Sequence, residues 1–219
     1  MFHSCESLQD LCRRVIIRAV GSRRQVEPLP LPSALKEWIR EYEEEPRFDR
    51  KLTNLKHVMF SADDTTVTFK GTSFYSTTLI KTPYGRGYIS GKHEWVFYFD
   101  NCMGQVAVCV VPAKFKEGKD FDLVPYIGHC VGWCFNQVGR ATYELPLWEE
   151  KRYYSSLFNS WDMVWVLLDM DKGTLGFMVN GKELGVAFSE GIIGNELFPA
   201  ICLCGEGEKA TIISSSTYL

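Results

Sequence analysis

The stretch WVLLDMDKGTLGFMVNGKELGVAF, Trp165–Phe188, decides the fold class. With Val164 just ahead of it, Val166 and Leu168 fall at every second position, as on a half-buried strand. Asp171-Lys172-Gly173 supplies a turn, and Leu175, Phe177 and Val179 resume the same period. Asn180-Gly181 follows, and a tight primed turn needs positive φ at both central residues, which these two tolerate best. Leu184, Val186 and Phe188 then read as the return strand. A period of two broken by turn chemistry means antiparallel strands.

Outward from this stretch the period holds. Upstream, Val67 and Phe69, then Trp95, Phe97 and Phe99, then Val106, Val108 and Val110 alternate in the same way. Downstream, Ile201 and Leu203, the Gly205-Glu206-Gly207 turn and Thr211–Ile213 read as a final hairpin. Many short strands without long helices between them indicate a mainly β protein, an antiparallel β-sandwich.

Before Leu52 the period changes. Leu8, Leu11, Cys12, Val15, Ile16, Ala19 and Val20 recur at steps of three and four and form one apolar helical stripe. Ser7 stands where an N-cap belongs, Asp10 follows three positions on, and Gly21 sits past the last apolar residue. Arg13, Arg14 and Arg18 fall largely off the stripe. After Pro28-Leu29-Pro30-Leu31-Pro32, the residues Leu35, Trp38, Ile39 and Tyr42 mark a second amphipathic helix. Two such short helices cannot bury both stripes against each other and stand alone, so their apolar faces must dock elsewhere. The charged segment Glu41–Lys51, with Pro46 inside it, reads as a hinge or linker with a solvated surface.

The whole chain has 219 residues, enough for one sizeable core with a small appendage. Its net charge of −3 argues against nucleic acid, whose binders need a basic field. No apolar run is long enough to span a bilayer, and the first residues carry Glu6 and Asp10, unlike a signal peptide. The eight cysteines contain no CxxC pair and sit singly in apolar segments. That pattern fits buried thiols in the reducing cytoplasm, or in the nucleus, better than a secreted disulfide framework.

Two resemblances follow from particular motifs. Leu8, Cys12 and Ile16 in SLQDLCRRVI resemble the elongin-binding part of a SOCS box, and Leu29-Pro30-Leu31-Pro32 followed by ALKEWI resembles its cullin box. Residues four apart share a helix face, and a small thiol lets that face enter a partner's pocket closely. The prolines hold the second motif extended and so reduce the entropy lost on docking. SGKHEWVFYF at Ser90–Phe99, IGHCVGWCF at Ile127–Phe135, Trp165–Phe188 and LFPAICL at Leu197–Leu203 resemble a SPRY (B30.2) domain. Together they resemble the SPRY-domain SOCS-box family, although its familiar members carry the SOCS box after the SPRY domain and this chain carries it before.

The resemblance implies a small α-helical SOCS box over 1–45 and a SPRY sandwich over 46–219. It implies a substrate-recognition adaptor, with no catalysis or cofactor, joined to elongin C, elongin B, cullin-5 and its RING partner. The elongin contacts would be Leu8, Leu11, Cys12, Val15 and Ile16; the cullin contacts would be Leu29, Pro30, Leu31, Pro32 and Leu35. A protein substrate would be held by loops carrying Phe74, Tyr75, Tyr126 and Glu206. The family's Arg-Arg-Pro-Val loop and Val-Trp-Gly stretch, which grip Asn-rich peptides, align with Gly71-Thr72-Ser73-Phe74 and with Leu203/Cys204-Gly205-Glu206. The arginine, proline and tryptophan are absent, so that specificity does not carry over.

Other chemistry is thinly represented. Cys12 beside Arg13 reads as a packing residue, because neighbouring helix positions point apart. His129, Cys130 and Cys134 offer three ligands, one short of a structural zinc site, and Cys202-Leu203-Cys204 alone is weak evidence for a metal. His93 reads as a sheet residue rather than a general base. No GxSxG elbow occurs, and Gly85-Arg86-Gly87 lacks the length and ending of a P-loop. Trp133, Trp161 and Trp165 read as core aromatics. Two alternatives to the adaptor remain: a SPRY interaction module whose helical segment packs only on its own sandwich, and a thiol enzyme.

Overall fold

The computed structural model describes residues 30–36, 46–50, 57–70, 76–79, 87–102, 106–113, 132–143, 152–155 and 157–218. The chain divides into two compact units, Met1–Glu45 with Tyr218–Leu219, and Pro46–Thr217. In the first unit, the described residues form a single helical turn at 33–36. It starts where the Leu35 and Lys36 N–H groups donate to the Pro32 carbonyl at 2.9 and 3.1 Å. Pro32 immediately before a first turn fits its fixed φ.

In the second unit the described strands are β1 (Val58–Phe60), β2 (Thr66–Phe69), β3 (Ser76–Leu79), β4 (Lys92–Asn101) and β5 (Ala107–Pro112). They continue as β6 (Trp133–Asn136), β7 (Arg140–Tyr143), β8 (Arg152–Tyr153) and β9 (Met163–Asp169). The last are β10 (Thr174–Val179), β11 (Lys182–Phe188), β12 (Leu197–Leu203) and β13 (Lys209–Tyr218). They make a seven-stranded sheet in the order β1-β2-β13-β4-β9-β10-β11 and a six-stranded sheet in the order β3-β12-β5-β6-β7-β8. All recorded pairings are antiparallel.

The alternating residues of the sequence meet between the sheets. Val67, Phe69, Trp95, Phe97, Phe99, Val164, Val166, Leu168, Leu175 and Phe177 from one side join Val106, Val108, Val110, Phe135, Ile201 and Leu203 from the other. Phe135 stacks on Phe177 at 5.0 Å between ring centroids. Truncating one such ring to alanine costs about 3–5 kcal/mol, so these rings dominate the stability of the unit.

The structure corrects four expectations. β5 and β12 are buried on both faces, because Ala107, Cys109, Val111, Cys134, Phe198, Ala200 and Cys202 form a second cluster on the side facing away from the main core. Val186 is 60% exposed, because the β10–β11 register shifts around Gly176 and Gly185 adopts φ +84°. That bulge moves Ala187 and Phe188 towards the core in its place. β12 and β13 are not a hairpin: the Gly205–Gly207 turn carries the chain from one sheet to the other. Finally, the supposed linker is integral in its described part. Phe48 is buried with its N–H on the Asp64 carbonyl at 2.8 Å, and the exposed Arg50 pairs with Asp64 while lying over the Phe60 ring.

Candidate partner-binding site

One end of the sandwich gathers six chain segments. The β12–β13 turn lies there, with the ends of β2 and β4, the residues 157–162 before β9, the β6–β7 turn and the Asn180-Gly181 turn. The turn between sheets is held by a buried carboxylate, since Glu208 Oε2 accepts from the Cys204 and Gly205 N–H groups at 2.6 and 2.8 Å. The Phe69 N–H donates to the Glu208 carbonyl at 2.8 Å, and the Gly207 N–H to the Phe69 carbonyl at 3.0 Å. Asn101 Nδ2 closes the arrangement on the Gly207 carbonyl at 3.0 Å. Charged acceptors make stronger hydrogen bonds than neutral ones, so the turn that presents Glu206 is rigidly based.

Glu206 itself is exposed. Phe74, Tyr75 and Tyr126 lie outside the described residues. The strands flanking 71–75 do converge on the turn: β2 ends at Phe69, and β3 begins with Ser76 opposite Leu203. The segment containing Tyr126 leaves after β5 and returns at β6, where Val110 opposes Trp133, and those strand ends lie at the far end of the sheet from Glu206. Of the cullin-box residues, Leu29 lies outside the described set, Pro30 and Pro32 are exposed, and Leu31 and Leu35 are half-buried. Leu8, Leu11, Cys12, Val15 and Ile16 also lie outside it.

Trp161 departs from its sequence reading. Trp133 is buried, whereas Trp161 is 75% exposed and has φ +71°. Asp64 and Asn180 also have positive φ, but those residue types tolerate it; a bulky side chain there is strained by about 1–3 kcal/mol. The segment is held in place by many bonds. The Trp161 N–H donates to the Phe99 carbonyl, and the Cys102 N–H to Ser160 Oγ at 2.9 Å. Asp162 accepts from the Asn159 N–H at 2.7 Å and from Asn180 Nδ2 at 2.6 Å, while Asn180 Oδ1 accepts the Met163 N–H at 2.9 Å. The sequence held a signal for this. Trp161 falls on the opposite parity from Val164, Val166 and Leu168, among the turn formers Asn159, Ser160 and Asp162. Val138, Leu157 and Met163 are further exposed apolar side chains at this end.

Cys102 and His93 stand at opposite ends of β4, in environments that shift their pKa values. Cys102, at the end of β4, is pushed up to about 12 by burial first and then by the charges of Glu208 and Asp162. It stays protonated and is a poor nucleophile. His93 is buried at the other end of β4, with Nε2 2.7 Å from the Ser90 carbonyl and Nδ1 3.1 Å from Thr217 Oγ1. Its ring packs against Tyr88 and Trp95. Burial lowers its pKa, against opposing contributions from the Ser90 bond and Asp171. Cys109 and Cys202 bring their sulfurs within 3.7 Å in the second apolar cluster, a packing arrangement.

Comparison with known proteins agrees with this geometry. The SPRY domain family matches residues 81–216, and the SOCS box family matches residues 4–39. Among solved structures, the SPRY domain of human HERC1 is similar at 22% identity and a TM-score of 0.57, over 76% of this chain and 97% of that one. A human SPRY domain is similar at 18% identity and a TM-score of 0.53, over 72% and 94% of the two chains. Stonustoxin is similar at 19% identity and a TM-score of 0.52, over 77% of this chain and 27% of its own. At these identities the likeness establishes the fold. The sandwich, its paired sheets and the two family matches together show that the chain belongs to the SPRY domain family and carries a SOCS box ahead of that domain, the make-up of a substrate adaptor for a SOCS-box ubiquitin ligase.

Proposed function

We propose that this protein is the substrate-recognition subunit of an elongin B/C–cullin-5 ubiquitin ligase and has no catalytic activity of its own. The observation that carries this reading is the presence of both parts, at 4–39 and 81–216, on one chain. Leu8, Leu11, Cys12, Val15 and Ile16 supply the apolar face that enters elongin C, with elongin B bound behind it. Leu29, Pro30, Leu31, Pro32 and Leu35 select cullin-5 and, through it, its RING partner. The sandwich end with Glu206, and with Phe74 and Tyr75 in the β2–β3 connection, captures a peptide of the target, joined by Tyr126 from the longer β5–β6 connection. The elevated Cys102 thiol and the satisfied His93 support a binding role over a thiol enzyme. The compartment is the reducing cytoplasm or nucleus, where unbridged buried thiols such as Cys109 and Cys202 persist.

The test is affinity purification from cells of the tagged wild type and of Leu8→Ala with Cys12→Phe. Truncating a central aliphatic anchor costs on the order of 2 kcal/mol or more, and the added ring obstructs the same pocket. Elongins B and C should disappear from the variant while its β unit keeps its melting temperature. Undiminished elongin recovery would overturn the assignment.

A further inference from the structure

We propose that the outward face of the seven-stranded sheet is a self-association surface, on which a second copy of this chain covers the apolar residues around Trp165. In β4, β9 and β10 the core takes Trp95, Phe97 and Phe99, then Val164, Val166 and Leu168, then Leu175, Phe177 and Val179. Successive strand residues point to opposite faces, so the residues between these turn outward. On that face Val96 stands opposite Trp165 and Trp165 opposite Met178, while Tyr98 stands opposite Met163 and Glu94 opposite Leu167. Trp165, Leu167, Met178 and Tyr98 are half-buried, and Val96 is buried. An antiparallel sheet with one face in water normally carries polar side chains there. Here the centre of the face is apolar across three adjacent strands. It continues to both sides, with exposed Val186 of β11 opposite Gly176 and exposed Ile213 on β13, the other neighbour of β4. Monomers seldom leave contiguous apolar surface of more than a few hundred Å² uncovered.

Shape, size and charge identify the occupant. Two sheets stack face to face when their twists match, and an identical sheet carries an identical twist. Strands lie about 4.8 Å apart and same-face residues about 6.8 Å apart along a strand, so seven strands with three such residues each offer about 30 Å by 20 Å. Counted on both copies this is about 1,200 Å², the lower end of the range for a specific interface. The charges at its rim are paired within the chain: Lys92 lies 3.6 Å from Asp169 and Lys209 lies 2.9 Å from Asp100, at the two ends of β4. Each end therefore presents both signs, and with a net charge of only −3 a second copy meets little repulsion. Beside the patch the Thr66 and Thr211 hydroxyls bond each other at 2.9 Å, so covering them strands no polar group. Glu94, at the margin of the patch, has its pKa raised by burial, which reports the low polarity around it.

The experiment measures the molar mass of the full-length chain by sedimentation equilibrium over a wide concentration range, for wild type, Leu167→Glu and Val186→Glu. Wild type should pass from monomer to dimer mass as concentration rises. Each substitution sets two new carboxylates into the interface, one from each copy, and should raise the dissociation constant by roughly tenfold or more. Val186 is exposed on the edge strand, so Val186→Glu should keep the wild-type melting temperature and remains informative if Leu167→Glu fails to fold. A wild type that stays monomeric at every concentration would overturn the proposal. A dissociation constant unchanged in either folded variant would overturn it as well, because the contact would then lie elsewhere, for instance on the N-terminal apolar stripe. A monomeric wild type whose Val186→Glu variant loses a co-purified cellular protein would give this face to a target and equally refute the dimer.

Discussion

Glu208 offers a direct test of how the site is built. Its side chain is fully buried, and its Oε2 holds two backbone N–H groups, of Cys204 and Gly205, where the chain crosses between sheets. Hydrogen bonds to a charged acceptor contribute about 1.5–3 kcal/mol each, which sets a ceiling near 6 kcal/mol for the pair. Both donor residues are half-exposed, so water replaces part of that loss in Glu208→Ala. The expected destabilisation is about 3 kcal/mol, and for a unit of this size the melting temperature should fall by about 6–12 °C. Glu208→Gln keeps one acceptor oxygen in place and should cost about 1 kcal/mol. Urea denaturation at neutral pH, with the slope compared as well as the midpoint, measures both. A Glu208→Ala protein within about 0.5 kcal/mol of wild type would show that the carboxylate is not what fixes the turn.

Three further outcomes are expected. Leu31→Ala with Pro32→Ala should lose cullin-5 while retaining elongins B and C in a pull-down; recovery of cullin-2 with the wild type would contradict the cullin assignment. His93 has a folded pKa below its ordinary 6.5, so its contribution to stability is intact above that pH and is lost as pH falls through the folded value. Denaturation at pH 7.5 and pH 5.5 should therefore show a smaller acid-side loss in His93→Gln than in wild type, and an equal loss would refute it. With a pKa near 12, Cys102 is about one part in ten thousand thiolate at pH 8, so iodoacetamide mapping should find it unmodified until the protein unfolds, and rapid labelling would revive a thiol enzyme.

The sheet strands were legible because their core faces alternate. Val164, Val166 and Leu168 or Trp95, Phe97 and Phe99 can be read as inward-facing without any structure, and Asn180-Gly181 announces its turn by residue type. Elsewhere the same local pattern serves two different tertiary outcomes. Val108 and Ile201 alternate like half-buried strands, yet Cys109 and Ala200 between them are equally buried, because β5 and β12 have an apolar layer on each side. Ile201 and Leu203, a glycine turn and Ile212 look like a hairpin, but the buried acid directly after the turn, Glu208, holds it where the second strand passes to the other sheet. A bulge at Gly185 reverses the parity of Val186, and bulges leave only a glycine as their trace. Phe48 hides in a charged run, since one ring is enough to anchor a segment that otherwise reads as linker. At the candidate site, Glu206 enters only through the resemblance, and the exposure of Trp161 runs against its reading as a core aromatic. A tryptophan is normally read as core, and only its parity and its neighbours Asn159, Ser160 and Asp162 mark it as presented outward.

The central claim, that this chain links a target to a ligase, is tested most directly by reconstitution from purified components. Full-length protein co-expressed with elongins B and C should elute with them from size exclusion as a single stoichiometric complex, and the addition of cullin-5 should shift that complex to a larger species. A chain that elutes alone and folded, while elongins B and C elute together without it, would contradict the account.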